Sequence, residues 1–213
     1  VAEVLDELGI GGKVIALDAI SCGTSSALGI DFGRVITAYD RPSDVATVTK
    51  RAEPDAFVLL IQDDLNIAIM ADSFVGALIR GEKFTMIMCT DIDCGRNRRQ
   101  PAPVTSFTAG ENREVAAQGY PMNTAELVAT FKGVAYSARG AVTSPVTYQR
   151  AKDYISTAFQ KQINNVGFSF VEILCACAAS DWWLTAADCL KEVRERTIDE
   201  LPLGEFKNVD HIE

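Results

Sequence analysis

Four aspartates stand directly behind two apolar runs. Asp63 and Asp64 follow Phe57-Val58-Leu59-Leu60-Ile61-Gln62, and Asp91 and Asp93 follow the run from Phe84 to Thr90. If those runs are neighbouring strands, the carboxylates gather at one edge of a sheet. Clustered carboxylates and loop carbonyls beside a helix start, which attracts phosphate, form the donor set of a Mg²⁺–diphosphate site. The commoner task of Asp at such places is to cap a helix or shape a turn. Spacing alone leaves both open.

Sulfur is the second chemistry-bearing set. Six cysteines occur, at positions 22, 89, 94, 175, 177 and 189. Cys89 sits in the apolar run Phe84 to Cys89 and Cys189 on a helical pattern, so both read as small buried hydrophobes. Cys22, Cys94, Cys175 and Cys177 fall at strand ends or in loops, where chemistry more often sits. Cys175-Ala-Cys177 with Cys22 is one thiolate short of a common iron–sulfur cubane, and no CxxC occurs. Unliganded, reduced thiols are therefore the simpler reading. The only histidine is His211, which excludes a His-based triad or a His-rich zinc site. Arg96-Asn97-Arg98-Arg99 is the densest basic spot, suited to phosphate or to a partner's carboxylates, or simply to a solvated loop tip. Trp182-Trp183 reads as packing or subunit contact rather than a base-stacking platform.

These residues need elements to hold them. Val14–Leu17, Phe57–Ile61, Phe84–Cys89 and Phe168–Leu174 read as short strands buried on both faces. Helical periodicity covers 1–8, 67–80, 123–131, 145–164 and 185–196, with starts at Asn123 and at Ser144-Pro145. Strand–helix alternation predicts an α/β, mostly parallel sheet with helices on both faces, in one domain over 1–213. Ligands in such a sheet bind beyond the carboxyl ends of the strands. A Gly- and Pro-rich stretch from about 91 to 122 breaks the rhythm, and a loop that long is usually functional. Residues from about 197 to 213 read as a C-terminal extension.

Composition narrows the class. The 213 residues are 48% hydrophobic and 23% charged, ordinary values for a folded globule. Twenty Lys and Arg against 29 Asp and Glu give a net charge of −9, which repels nucleic acid and suits a basic partner or plain solubility. No apolar run reaches the roughly 20 residues of a membrane span, and no secretory leader is visible, so a cytoplasmic setting is expected. The chain opens with Val1 inside a helical pattern, so a preceding segment is expected as well.

Several phrases then carry a resemblance. They are the run from Val1 to Ile10, Ser21-Cys22, Val45-Ala46 to Lys50-Arg51, Gln100-Pro-Ala-Pro-Val-Thr105, Gly119-Tyr-Pro-Met122, Gly167-Phe-Ser-Phe-Val-Glu172 and Pro202-Leu-Gly-Glu-Phe-Lys207. In this order they resemble the β subunit of the 2-oxoacid:ferredoxin oxidoreductases, the thiamine-diphosphate-binding subunit. The 2-oxoglutarate and 2-oxoisovalerate branches are the most similar. The resemblance covers nearly the whole chain.

It implies a thiamine-diphosphate-binding α/β fold and assembly with α- or α/γ-type subunits. The reaction it implies is oxidative decarboxylation of a 2-oxoacid to an acyl-CoA. Electrons would pass through a [4Fe–4S] cluster to ferredoxin, with the coenzyme carrying the chemistry. The family's Gly-Asp-Gly turn falls on Gln62-Asp63-Asp64. Asp63 then stands as the Mg²⁺ ligand, and Asp64 lies beside the diphosphate, where like charge is unfavourable. The second metal ligand falls on Thr90 or Asp91, with Asp93 supplying a carbonyl. Downstream, Gly95 and Gln100 keep the family's residues for cofactor contact, while Arg98 and Arg99 replace paired glycines and would meet phosphate with side chains. The family's His-Gly-Arg falls on Tyr39-Asp40-Arg41. Cys22 and Cys177 occupy two cluster-ligand positions; the family's other two ligands lie upstream of Val1's position, and Cys175 has no counterpart.

Two expectations follow. One is a catalytic β-type subunit binding thiamine diphosphate, Mg²⁺ and a cluster. The other is a diverged, non-catalytic paralogue that keeps the fold and its subunit contacts. Glycine lost where backbone should meet ligand favours the second.

Overall fold

The computed structural model describes residues 1–19, 34–37, 41–91, 122–175, 187, 190–191, 193–198 and 201–212. Among the described residues seven strands form one sheet in the order β2-β1-β3-β4-β6-β5-β7. They are β1 (Val14–Ala19), β2 (Arg34–Thr37), β3 (Phe57–Asp63), β4 (Thr85–Asp91), β5 (Val134–Ala141), β6 (Phe168–Cys175) and β7 (Gly204–Asn208). Every pairing is parallel except that of β7 with β5.

The helices are α1 (Ala2–Glu7), α2 (Pro42–Ala52), α3 (Asp64–Ile69), α4 (Ala71–Arg80), α5 (Thr124–Ala129) and α6 (Pro145–Ile163). One face of the sheet packs Leu60, Met86 and Phe170 against Ala46 of α2, Phe74 and Leu78 of α4 and Val128 of α5. The other packs Leu59, Ile61 and Val171 against Leu5 of α1 and Phe159 of α6. All seven residues of β3 are buried, as expected of a central strand covered on both sides.

Local chemistry sets the boundaries. Ser144 opens α6 with a capping box: its hydroxyl accepts from the Thr147 N–H at 3.2 Å, and its own N–H donates to Thr147 Oγ1 at 2.8 Å. Pro145 occupies the first helical turn, where its missing N–H costs nothing. α4 ends at Gly81 in the left-handed region, φ +61°.

The outcome differs from the sequence expectation in several places. The helix expected over 67–80 is two helices: the first begins at Asp64, directly at the strand end, and the two are broken at Met70, where the backbone leaves the helical region at φ −124°, ψ 47°. The helix expected over 123–131 is limited to Thr124–Ala129. β2, β5 and β7 were not anticipated. β7 lies within the expected C-terminal extension, yet it pairs into the sheet. Lys207 Nζ also donates to the Phe131 carbonyl at 2.6 Å, and Lys161 pairs with Asp210 at 2.6 Å. Of the helix expected over 185–196, the described part ends in a short π-helical turn, Val193–Thr197. Among the described residues no helix is long and apolar enough to cross a membrane.

Candidate functional site at the carboxyl edge of the sheet

Of the expected aspartates, Asp63, Asp64 and Asp91 stand at the carboxyl ends of the adjacent strands β3 and β4. In register, Asp18 of β1 faces Ile61 of β3, Asp63 faces Cys89 of β4, and Asp91 faces Cys175 of β6. Side chains alternate along a strand, so Asp18 and Asp63 share the face that carries Ile61. Asp18, 1% exposed, is a further carboxylate at this edge that sequence reasoning passed over. Its signal was an acid closing the apolar run Val14–Leu17.

What each residue does there is specific. Asp63 is the N-cap of α3: its Oδ1 accepts from the Asn66 backbone N–H at 2.9 Å and from Asn66 Nδ2 at 2.6 Å. Asp64 is the first residue of that helix and is buried. Gln62, also buried, donates through Nε2 to Met86 Sδ at 3.2 Å and leaves Oε1 without a partner among the described residues. Thr90, fully buried, donates from Oγ1 to Glu172 Oε1 at 2.9 Å, and the Cys175 thiol lies 3.5 Å from the Thr90 carbonyl. Asp93, Gly95, Arg98, Arg99, Gln100, Cys22 and Cys177 lie outside the described residues, as do Tyr39 and Asp40; of Asp91 only the backbone is described.

On the opposite face a row runs straight across four strands: Gln62, Met88, Glu172 and Arg139. Arg139 and Glu172 are completely buried. Arg139 Nε donates to Glu172 Oε2 at 2.8 Å, and its terminal nitrogens hold both oxygens of Glu126 and the Pro202 carbonyl. The guanidinium also lies 5.2 Å from the centre of the Phe206 ring, a cation–π contact. Burial pushes the Glu172 carboxyl above the ordinary glutamate range, with Arg139 and Thr90 opposing. The network ties Thr90, at the edge, to the C-terminal segment. Its signal was present in sequence: Glu172 stands alone in the apolar run Phe168–Leu174, and a buried charge requires a partner.

A diphosphate–Mg²⁺ group can be tested against these side chains. It needs a free carboxylate at Asp63 and open backbone on either side. Here Asp63 Oδ1 is occupied by its own helix, while the side chains of Gln62 and Asp64 are buried at the two positions where glycine would let phosphate approach. The Thr90 hydroxyl proton goes to Glu172. Among the described residues no group of three His, Cys, Asp or Glu could hold a metal ion. The buried side chains flanking Asp63 do not fit a diphosphate, while the cap engages one oxygen of Asp63.

The cap makes a prediction. Asp63→Ala should cost about 1 kcal/mol of stability, read as a lower urea midpoint with Mg²⁺ absent. A carboxylate kept only for a metal would give no loss, or a gain, on removal.

No protein-family model matches the chain. Curated relatives do. The chain is 28% identical over 214 residues to the ketoisovalerate oxidoreductase subunit VorA of Methanothermobacter thermautotrophicus, a match over 98% of this chain and 45% of that protein. It is 29% identical over 216 residues to VorA of Methanothermobacter marburgensis, with the same two coverages. Against the 2-oxoglutarate synthase subunit KorB of Methanocaldococcus jannaschii it is 27% identical over 179 residues, covering 82% of this chain and 63% of that one. The chain thus spans about half the length of the VorA relatives.

Its fold matches a solved 2-oxoglutarate:ferredoxin oxidoreductase from Magnetococcus marinus, bound to 2-oxoglutarate, coenzyme A and succinyl-CoA. The TM-score is 0.68 at 18% identity, covering 97% of this chain and 75% of that one. In sequence the chain is thus similar to subunits of 2-oxoacid oxidoreductases over nearly its whole length, and it shares the fold of the solved enzyme.

Proposed function

We propose that the chain is a β-type subunit of a 2-oxoacid:ferredoxin oxidoreductase assembly, acting as scaffold and not as the seat of thiamine diphosphate. The relationship to VorA and KorB supports membership in such an assembly. One observation carries the scaffold role: the Asp63 carboxylate caps α3, between two buried side chains that replace glycine. In this reading the assembly converts a 2-oxoacid and CoA to an acyl-CoA, passes electrons to ferredoxin and holds its coenzyme elsewhere. The α/γ-type subunits are this chain's direct partners.

A second reading keeps the coenzyme, Mg²⁺ and a cluster on this chain. It is favoured by Asp63 standing at the family's metal-ligand position with Asp18 beside it on the same face. Cys22 and Cys177 would then supply two of the four thiolates a cubane needs.

Calorimetric titration separates the two. The chain, purified with its α/γ-type partners, is titrated with Mg²⁺ and thiamine diphosphate, and so is an assembly carrying Asp63→Asn. The scaffold reading expects the same bound coenzyme in both. Loss of one equivalent in the Asp63→Asn assembly would establish the second reading, and failure of the chain to join such partners would remove both.

A further inference from the structure

At the other end of the strands, about 20 Å from Asp63 along β3, lies a cleft of about 650 Å³. It forms where the 3₁₀ turn Gly11–Lys13, the end of α2, the α4–β4 turn and the end of α6 meet. Its size is that of a small-molecule site. Ile10, Phe57 and Ile163 give it apolar walls.

Its charge runs against that of the molecule. The whole chain carries nine more acids than bases, yet this cleft is lined by Lys13, Lys50, Arg51 and Lys83 against only Asp55 and Glu82. Part of that charge is already engaged. Lys50 Nζ donates to the carbonyls of Pro54 and Ala56, just beyond α2, at 2.8 and 2.7 Å. Glu82 is neutralised by Arg51 at 2.6 Å and Arg80 at 2.8 Å. Lys13 and Lys83 have no ion-pair partner among the described residues; burial lowers the Lys50 pKa, with Asp55 opposing and the nearby Lys83 charge adding to the fall. Gln162 adds an independent feature. It lines the cleft, is 4% exposed, and accepts from Thr85 Oγ1 at 2.7 Å, while its Nε2 has no hydrogen-bond partner among the described residues. A buried amide donor without an acceptor is costly unless something supplies one.

We propose that this cleft binds a small organic phosphate, with the anion between Lys13 and Lys83 and its apolar body against Phe57 and Ile163. The proposal stands apart from the scaffold reading, since it uses the opposite edge of the sheet.

The probes are adenosine diphosphate, inorganic pyrophosphate and adenosine, added to the ¹⁵N-labelled chain and followed by amide chemical shifts. Adenosine diphosphate should saturate, with shifts centred on 10–13, 50–57, 81–85 and 162–165. Pyrophosphate should bind more weakly at the same place, and adenosine should leave the spectrum unchanged. Lys13→Ala/Lys83→Ala, both exposed and expected to fold normally, should weaken adenosine diphosphate at least tenfold. The proposal is overturned if no phosphate probe saturates, if the shifts centre on the edge at Asp63, or if the double variant binds as the parent does.

Discussion

Replacing Arg139 with methionine should lower the unfolding free energy by about 3–5 kcal/mol, read as a large drop in the urea midpoint. The guanidinium is fully buried and is the only cation that meets both Glu126 and Glu172 in the described network. Removing it leaves one fully buried carboxylate without its counter-ion, and that desolvation outweighs anything methionine gains by packing. The companion Arg139→Met/Glu172→Leu should recover much of the loss, because it removes the stranded charge as well.

The same network sets a pH dependence. The folded pKa of Glu172 is raised above the ordinary value of 4.5, so folding favours its protonated form. Its stabilising contribution is complete below that ordinary value and is lost as pH rises through the raised one. Without Arg139 the carboxyl is raised further. The deficit of Arg139→Met relative to the parent should therefore grow as pH rises above the parent's raised Glu172 pKa and shrink as pH falls below it. A deficit that stays constant over this range would mean that Arg139 acts through its volume alone.

Gly133→Ala should cost about 2 kcal/mol, lowering Tm on the order of 6 °C for a chain of this length. A Cβ at Gly133 would lie 2.6 Å from Gly81 Cα and 2.6 Å from the Leu78 carbonyl oxygen. Both are backbone atoms, so no side chain can rotate aside. The contact joins the end of α4 to the turn before β5, and relieving it means separating the two. Gly12→Ala, where the added carbon meets nothing within 4 Å, is the control and should leave Tm unchanged. A neutral Gly133→Ala would show that this junction yields freely.

The sheet was legible in sequence where burial is two-sided. Phe57-Val58-Leu59-Leu60-Ile61 admits few readings, and the structure buries every residue of it. β7 was missed because Gly204-Glu205-Phe206-Lys207-Asn208 is an edge strand, with no residue fully buried. β5 was missed because Ser137, Arg139 and Gly140 interrupt its apolar character. Arg139 is tolerated there only because Glu126 and Glu172 arrive from other elements, which is a tertiary fact. The break at Met70 has no glycine or proline to announce it. At the candidate site, the residue types could place Asp63 at the strand end but could not choose between metal and cap. That choice depended on α3 beginning one residue later, with Asn66 offering two donors.

The antiparallel closure by β7 has a consequence for biosynthesis. β5 needs Gly204–Asn208 to cover its outer edge, and those residues leave the ribosome after the six described parallel strands. Until then the nascent chain presents an open β5 border to whatever strand comes near. A parallel sheet assembled from distant segments is already slow to form. Chaperone engagement during translation should accordingly be strongest in this interval, and release should coincide with emergence of β7.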